Sequence, residues 1–163
     1  MEIGGLLKVV HALVGIGFVS GLVGRWVVLG LAQRARSINS VVTLTEAARI
    51  FERLVIVGSS LVLLLGVATA IAQGTPFLGP LQSSRVDWLF VSVLLYGSLI
   101  PLVPLIFLPR GKVFAAALDE ARASGEVTPA LDASFRDPVV RAAHLYELAA
   151  VGAILVLMIA KPF

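Results

Sequence analysis

The sequence predicts an all-α fold, a polytopic four-transmembrane-helix bundle with short amphipathic helices in the connections on one side. Three observations predict it. Four long apolar runs, Ile3–Ala32, Leu54–Ala72, Trp88–Leu108 and Pro138–Ala160, are separated by clusters of charge. The mean hydropathy is +0.99 and 58% of the residues are hydrophobic, so lipid is the solvent for most of the chain. The basic residues also divide very unevenly between the two sides that four crossings define.

A helix rises about 1.5 Å per residue, so a hydrocarbon core of about 30 Å takes roughly 20 residues to cross. Lipid satisfies no backbone hydrogen bond, and continuous runs of this length suit helices rather than the short alternating segments of barrel strands. Membrane helices are expected at about residues 3–32, 49–72, 87–108 and 138–160, within one membrane domain over residues 1–163. Four crossings place Gln33–Arg53 and Pro109–Arg141 on one side, and the termini with Gln73–Asp87 on the other. The first side carries ten of the 13 basic residues, Arg25 and Arg141 among them, against Lys8, Arg85 and Lys161 on the second. The positive-inside rule therefore puts both termini on the extracytoplasmic side. The pI near 9.8 follows from this topology and from anionic lipid headgroups as partners, and no nucleic-acid partner is expected.

Helix one is too long for a signal-peptide core, contains Lys8 and lacks a small-residue cleavage site before Arg25, so it is expected to stay in the mature protein. Its Gly17-x-x-x-Gly21 pair predicts a close-packing face, within the chain rather than in a dimer. Before helix two, Thr43-Leu44-Thr45-Glu46 matches a capping box, so that helix is expected to start ahead of the membrane. Gly74–Pro80 is a turn-rich apolar loop on the outer surface of the bilayer or over the bundle mouth. In helix three, Pro101 and Pro104 each remove a backbone donor and predict a kink near Gly97–Pro101. Between helices three and four, Phe114, Leu118 and Ala121 recur at helical spacing. They predict an amphipathic helix over about residues 112–123, resting on the bilayer or the bundle base, and a further helical piece around Pro129–Phe135.

Ionisable groups inside membrane helices are costly and so are candidates for function. They form two layers. Lys8 and His11 lie in the outer layer, on the first turns of helix one. Arg25, Glu52, Arg141, His144 and Glu147 form the inner layer, with Arg49 and Arg53 beside them. Arg141, His144 and Glu147 are spaced by three, which sets a histidine between a guanidinium and a carboxylate on adjoining positions of helix four. That pattern suits a proton-responsive site or an ion-pair network closing the cytoplasmic end, with Arg25 and Glu52 as partners. His11 offers an imidazole of the kind that ligates haem or copper, with Gly15 one turn on clearing space, or else a hydrogen bond across the bundle. One haem shared by His11 and His144 is disfavoured. Each lies about 9 Å inside opposite faces of a core about 30 Å thick. With no cysteine there is no disulfide, thiolate metal site or thiol nucleophile. No phosphate loop, HExxH motif or nucleophile elbow occurs, and no enzymatic activity is assigned.

Leu7-Lys8-Val9-Val10-His11, Leu108-Pro109-Arg110-Gly111, Gly125-Glu126-Val127-Thr128-Pro129 before Asp137-Pro138, and the Lys161-Pro162-Phe163 end resemble a family of small predicted integral membrane proteins of unknown function. That family is similar in plan to the membrane domain of copper-resistance D proteins and to four-helix, haem-dependent protoporphyrinogen oxidases. In those groups a Leu-Lys-x-x-His start recurs, which maps onto Leu7, Lys8 and His11. The resemblance implies that His11, with Lys8, faces haem b or copper. The chain departs from it in lacking a methionine-rich outer loop, its methionines being Met1 and Met158. Three functions follow as expectations for a prokaryotic inner-membrane protein. These are a haem- or metal-associated protein using His11, an accessory or assembly subunit of a homo- or hetero-oligomeric membrane complex, and a small proton-linked transporter using the inner cluster.

Overall fold

The computed structural model describes residues 2–162, which leaves Met1 and the terminal Phe163 of the Lys161-Pro162-Phe163 end outside the described residues. The elements run α1 (Ile3–Arg34), α2 (Ile38–Ala72), α3 (Trp88–Leu99), α4 (Leu108–Ser124), α5 (Pro129–Phe135) and α6 (Pro138–Ala160), with a π-helical turn at Val103–Phe107 between α3 and α4. Among the described residues, four helical stretches are long and apolar enough to cross a membrane: α1, α2, Trp88–Ser124 and Pro129–Ala160. Among the described residues there is no strand. The all-α, four-span reading of the sequence therefore holds.

α1 and α2 have 32 and 35 residues, about 48 and 52 Å of helix, well beyond a hydrocarbon core of about 30 Å. Both run past the apolar stretch at the basic end, where a three-residue turn joins them. The cap of α2 differs from expectation. Ser37 starts the helix, its hydroxyl accepting from the Ser40 amide at 3.2 Å, whereas the Thr43 and Thr45 hydroxyls bond back to the Asn39 and Val41 carbonyls inside the helix. A Thr-x-x-Glu pattern caps only where the chain enters the helix, and here the entry is six residues earlier.

α1 packs along α2, and α3 packs along α6, so the bundle is two helix pairs. The α1–α2 seam sets a large side chain on one helix against a glycine on the other. Phe18 lies on Gly58, Phe51 on Gly24, and Gly21 faces Phe51, Leu54 and Val55. Close approach of this kind supplies van der Waals contact where lipid removes the hydrophobic drive. Gly21 thus packs within the chain, but Gly17 has no neighbour within 4 Å and does not share the seam. Across the pairs, Phe18, Leu22, Val55 and Val151 form the membrane core.

The break in the third crossing falls at Ile100–Pro101, inside the expected region and at its end. The helix then resumes through the π turn, as the two missing proline donors require. Beyond it, α4 and α5 fold onto the bundle base. Ala117, Leu118, Ala121 and Leu131 are buried against Val41, with Phe114 and Phe135 packed edge-to-face at their rim. Gly125 ends α4 in the left-handed region, and Asp137 caps α6 through the Val139 and Val140 amides while pairing with Arg110 at 2.6 Å. At the opposite end, the Gly74–Pro80 loop turns back onto α3, with Gly79 (φ +50°) against the Phe90 ring, and Lys161 stands 5.3 Å from the Trp88 ring centroid.

Candidate functional site

The inner layer forms where the two helix pairs meet. α1 carries Arg25 and α6 carries His144 and Glu147 to the same depth from opposite sides of the junction. Arg25 Nη2 donates to Glu147 Oε2 at 2.5 Å, and it lies 3.3 Å from His144 Nδ1. His144 Nδ1 is in turn 3.4 Å from the same Glu147 oxygen. Guanidinium, imidazole and carboxylate therefore converge through one atom each. All three side chains are largely withdrawn from the surface, at 12, 18 and 12% exposure for Arg25, His144 and Glu147. A buried charge needs a partner at this depth, and Arg25 and Glu147 supply it to each other. The Arg25 Nε is buried without any partner, so one edge of the guanidinium does all the bonding.

A residue not anticipated from the sequence completes the cluster. Phe107, the last residue of the π turn, stacks on His144 with ring centroids 4.9 Å apart and an interplanar angle of 26°. The Arg25 guanidinium carbon lies 5.6 Å from the same ring, within cation–π range. The two prolines were the available signal. The register change they force is what turns Phe107 toward α6, and periodicity along a regular helix misplaces it.

Two residues expected in this layer lie outside it. Arg141 is exposed and Glu52 is exposed, each without an ion pair among the described residues. Each three-residue step turns the helix by about 300°, so Arg141 and Glu147 diverge by about 120° and only part of that arc faces α1. Glu52 lies about 100° around α2 from Phe51, off the seam that Phe51, Leu54, Val55 and Gly58 define. Further polar links join the helices. Tyr96 on α3 donates to the Ser59 carbonyl on α2 at 2.7 Å, and the Ser98 and Tyr146 hydroxyls meet at 2.6 Å between α3 and α6.

In the outer layer, Lys8 is exposed and His11 half-buried, so the two do not share one environment. His11 occupies the α1–α2 seam. Its ring fits the notch left by Gly66, where a Cβ would stand 3.1 Å from the imidazole Cε1. The room comes from Gly66 on the neighbouring helix, and Gly15 has nothing within 4 Å. The His11 Nδ1 is buried with no hydrogen-bond partner.

These residues do not fit a haem enclosed within the single bundle. His11 is seated between helices, and His144 is engaged by Arg25, Glu147 and Phe107. Two surface hollows are lined by other residues, one along Ala70–Phe77 with Gln82 and one between α4 and α5. Among the described residues no three histidine, aspartate or glutamate side chains gather as metal ligands.

Residues 5–162 match the family described as "Predicted integral membrane protein (DUF2269)". No curated protein and no solved structure matches the chain.

Proposed function

We propose that this chain, which belongs to the DUF2269 family of predicted integral membrane proteins, is a small proton-linked carrier of the prokaryotic inner membrane whose working site is Arg25, His144 and Glu147. Both termini face outward in this reading, and the ten basic residues at the Arg25 end support it by the positive-inside rule. The carrying observation is the single imidazole nitrogen that stands within reach of both a guanidinium donor and a carboxylate acceptor. With its proton on Nε2, neutral His144 presents a lone pair at Nδ1 to Arg25. When Nδ1 is protonated, it donates to Glu147 instead. An imidazole can hold one proton or two, so the site has a proton acceptor set between a cation and an anion.

The test uses the proton itself as probe. Purified protein in liposomes, driven by a potassium gradient with valinomycin, is expected to acidify or alkalinise an internal pH-sensitive dye faster than protein-free liposomes do. His144→Ala and Glu147→Gln are expected to return the rate to the protein-free level. Wild-type flux equal to that of empty liposomes sinks the reading, as does unchanged flux in both variants.

A second reading rests on the unpartnered His11 Nδ1. Here His11 is the one donor this chain gives to haem b or a copper ion completed by a second subunit, in keeping with an oligomeric or accessory role. Protein purified in mild detergent after expression with haem and copper would then show a Soret band or bound copper, lost in His11→Ala. A featureless visible spectrum together with no bound copper removes it.

A further inference from the structure

We infer that a proton on His144 unlatches α1 from α6, opening the junction between the two helix pairs at the basic end. The inference rests on the proton-responsive reading of the same cluster and adds the movement that such a site controls.

The first support is the shared acceptor. Arg25 Nη2 and His144 Nδ1 both address Glu147 Oε2, at 2.5 and 3.4 Å, and lie 3.3 Å from each other. Neutral His144 relieves this crowding by accepting from Arg25. Protonated His144 has no lone pair to offer at Nδ1. It becomes a second cation beside the guanidinium, and both then compete for one carboxylate oxygen. The charged groups facing His144 are Arg25 from α1 and Glu147 from its own helix, while the π turn contributes the neutral Phe107 ring. Arg141, one turn earlier on α6, is exposed and takes no part.

The second support is how little else joins α1 to α6. α1 spends its packing surface on α2, and α6 spends its own on α3. Apart from the His144 nitrogen and the Phe107 ring, the guanidinium has no further hold among the described residues, its buried Nε being unpartnered. Loss of the Arg25–Glu147 bond therefore leaves the α1–α6 contact to a few apolar side chains around Leu22 and Val151.

The third support is a built-in place to bend. Phe107 stacks on His144, lies within cation–π range of Arg25 and ends the π turn that follows Pro101 and contains Pro104. Pro101 and Pro104 take two amide donors out of this segment, and π turns often sit at functional sites. Residues continuous with it, in α4, are buried against α5 and Val41. A shift of the His144 ring thus bears directly on the rod that supports the cap at the basic end.

The chain has no cysteine, so two introduced cysteines carry spin labels at defined places without background. Val27 on α1 and Ala142 on α6 are both exposed, near Arg25 and His144 respectively. Distances between labels on Val27→Cys/Ala142→Cys are measured in lipid at about pH 8 and about pH 5. A longer-distance population is expected to grow at least about tenfold relative to the short one at the lower pH, the response of a two-state element to a ligand that prefers one state. With His144→Gln added, the short distance is expected at both pH values. With Glu147→Gln added, the long one is expected at both. A distance distribution that ignores pH in the otherwise wild-type pair overturns the inference, and so does a pH response that survives His144→Gln. Proton flux without a distance change refutes the latch and leaves the carrier reading standing. A distance change without flux does the reverse.

Discussion

Glu147→Gln isolates the ion pair that joins the helix pairs. The replacement keeps the shape and removes the charge, which leaves the Arg25 guanidinium without its anion. Removing one member of a buried ion pair costs about 3–5 kcal/mol, most of it the burden of an uncompensated charge. Arg25 and Glu147 are each 12% exposed rather than sealed, and arginine can extend toward the interface, so the low end applies, about 3 kcal/mol. At roughly 2–4 °C per kcal/mol for a chain of this size, the midpoint should fall by about 6–12 °C. The assay is thermal unfolding in detergent followed by tryptophan fluorescence, for which Trp26, the neighbour of Arg25, is a local reporter. Arg25→Gln/Glu147→Gln buries neither charge and is expected to recover about 2 kcal/mol relative to Glu147→Gln. A double variant whose loss equals the two single losses combined would show that the charges do not interact, and the reasoning about the junction would fail with it.

The α1–α2 seam predicts a contrast between glycines. Gly58→Leu must displace Phe18, whose Cβ and Cα already stand 3.1 and 3.2 Å from the place of a new Cβ, so a loss of about 1–3 kcal/mol is expected. Gly17→Leu has no atom within 4 Å to displace and should unfold near the wild-type midpoint. Leu131→Ala empties a fully buried site between α4 and α5 and should cost about 2–5 kcal/mol, read as faster protease cleavage around Gly125 with the membrane spans intact. Asp137→Asn keeps a capping oxygen but removes the charge at the α6 N-terminus and the Arg110 pair, costing about 0.5–1 kcal/mol at neutral pH. Partial burial opposes ionisation of Asp137, but the Val139 and Val140 amides and Arg110 outweigh it and hold the carboxyl below the ordinary aspartate range. A depressed carboxylate stabilises above the unfolded-state value and loses its effect as pH falls through the folded one. The difference between wild type and Asp137→Asn should therefore vanish in acid, in a denaturation series run across pH.

The spans were legible because an apolar run reports the solvent directly, and lipid leaves the backbone no choice but the helix. The water-side parts were less so. Hydropathy marks where α2 meets lipid, at about Leu54, and is blind to the preceding turns, where Val41, Thr45 and Ala48 are buried against protein. The inner cluster was partly legible, since charge at membrane depth is rare enough to single out Arg25, His144 and Glu147. Spacing along one helix could not exclude Arg141 or Glu52, because only the neighbour's position decides which part of an arc is the inside. Gly66 was beyond reach for the same reason, and Phe107 was signalled only indirectly, by the two prolines before it. One depends on which residue of α2 falls opposite His11, and the other on a register shift at those prolines.

The two helix pairs also meet under unusual terms. Between lipid-facing helices no hydrophobic gain rewards association, so polar bonds and close packing must supply it. Close packing is spent within α1–α2, where glycines admit Phe18 and Phe51, and across the junction the specific bonds are polar: Arg25 to Glu147, and Tyr96 to the Ser59 carbonyl. The residues that could operate the protein are consequently among those that assemble it. Loss of flux in Glu147→Gln alone cannot separate a missing proton site from a loosened bundle. The pair of variants can. If Arg25→Gln/Glu147→Gln regains stability but carries no protons, the carboxylate acts in transport as well as in assembly. If flux returns together with the unfolding midpoint, the cluster is a clamp, and the proton path lies elsewhere.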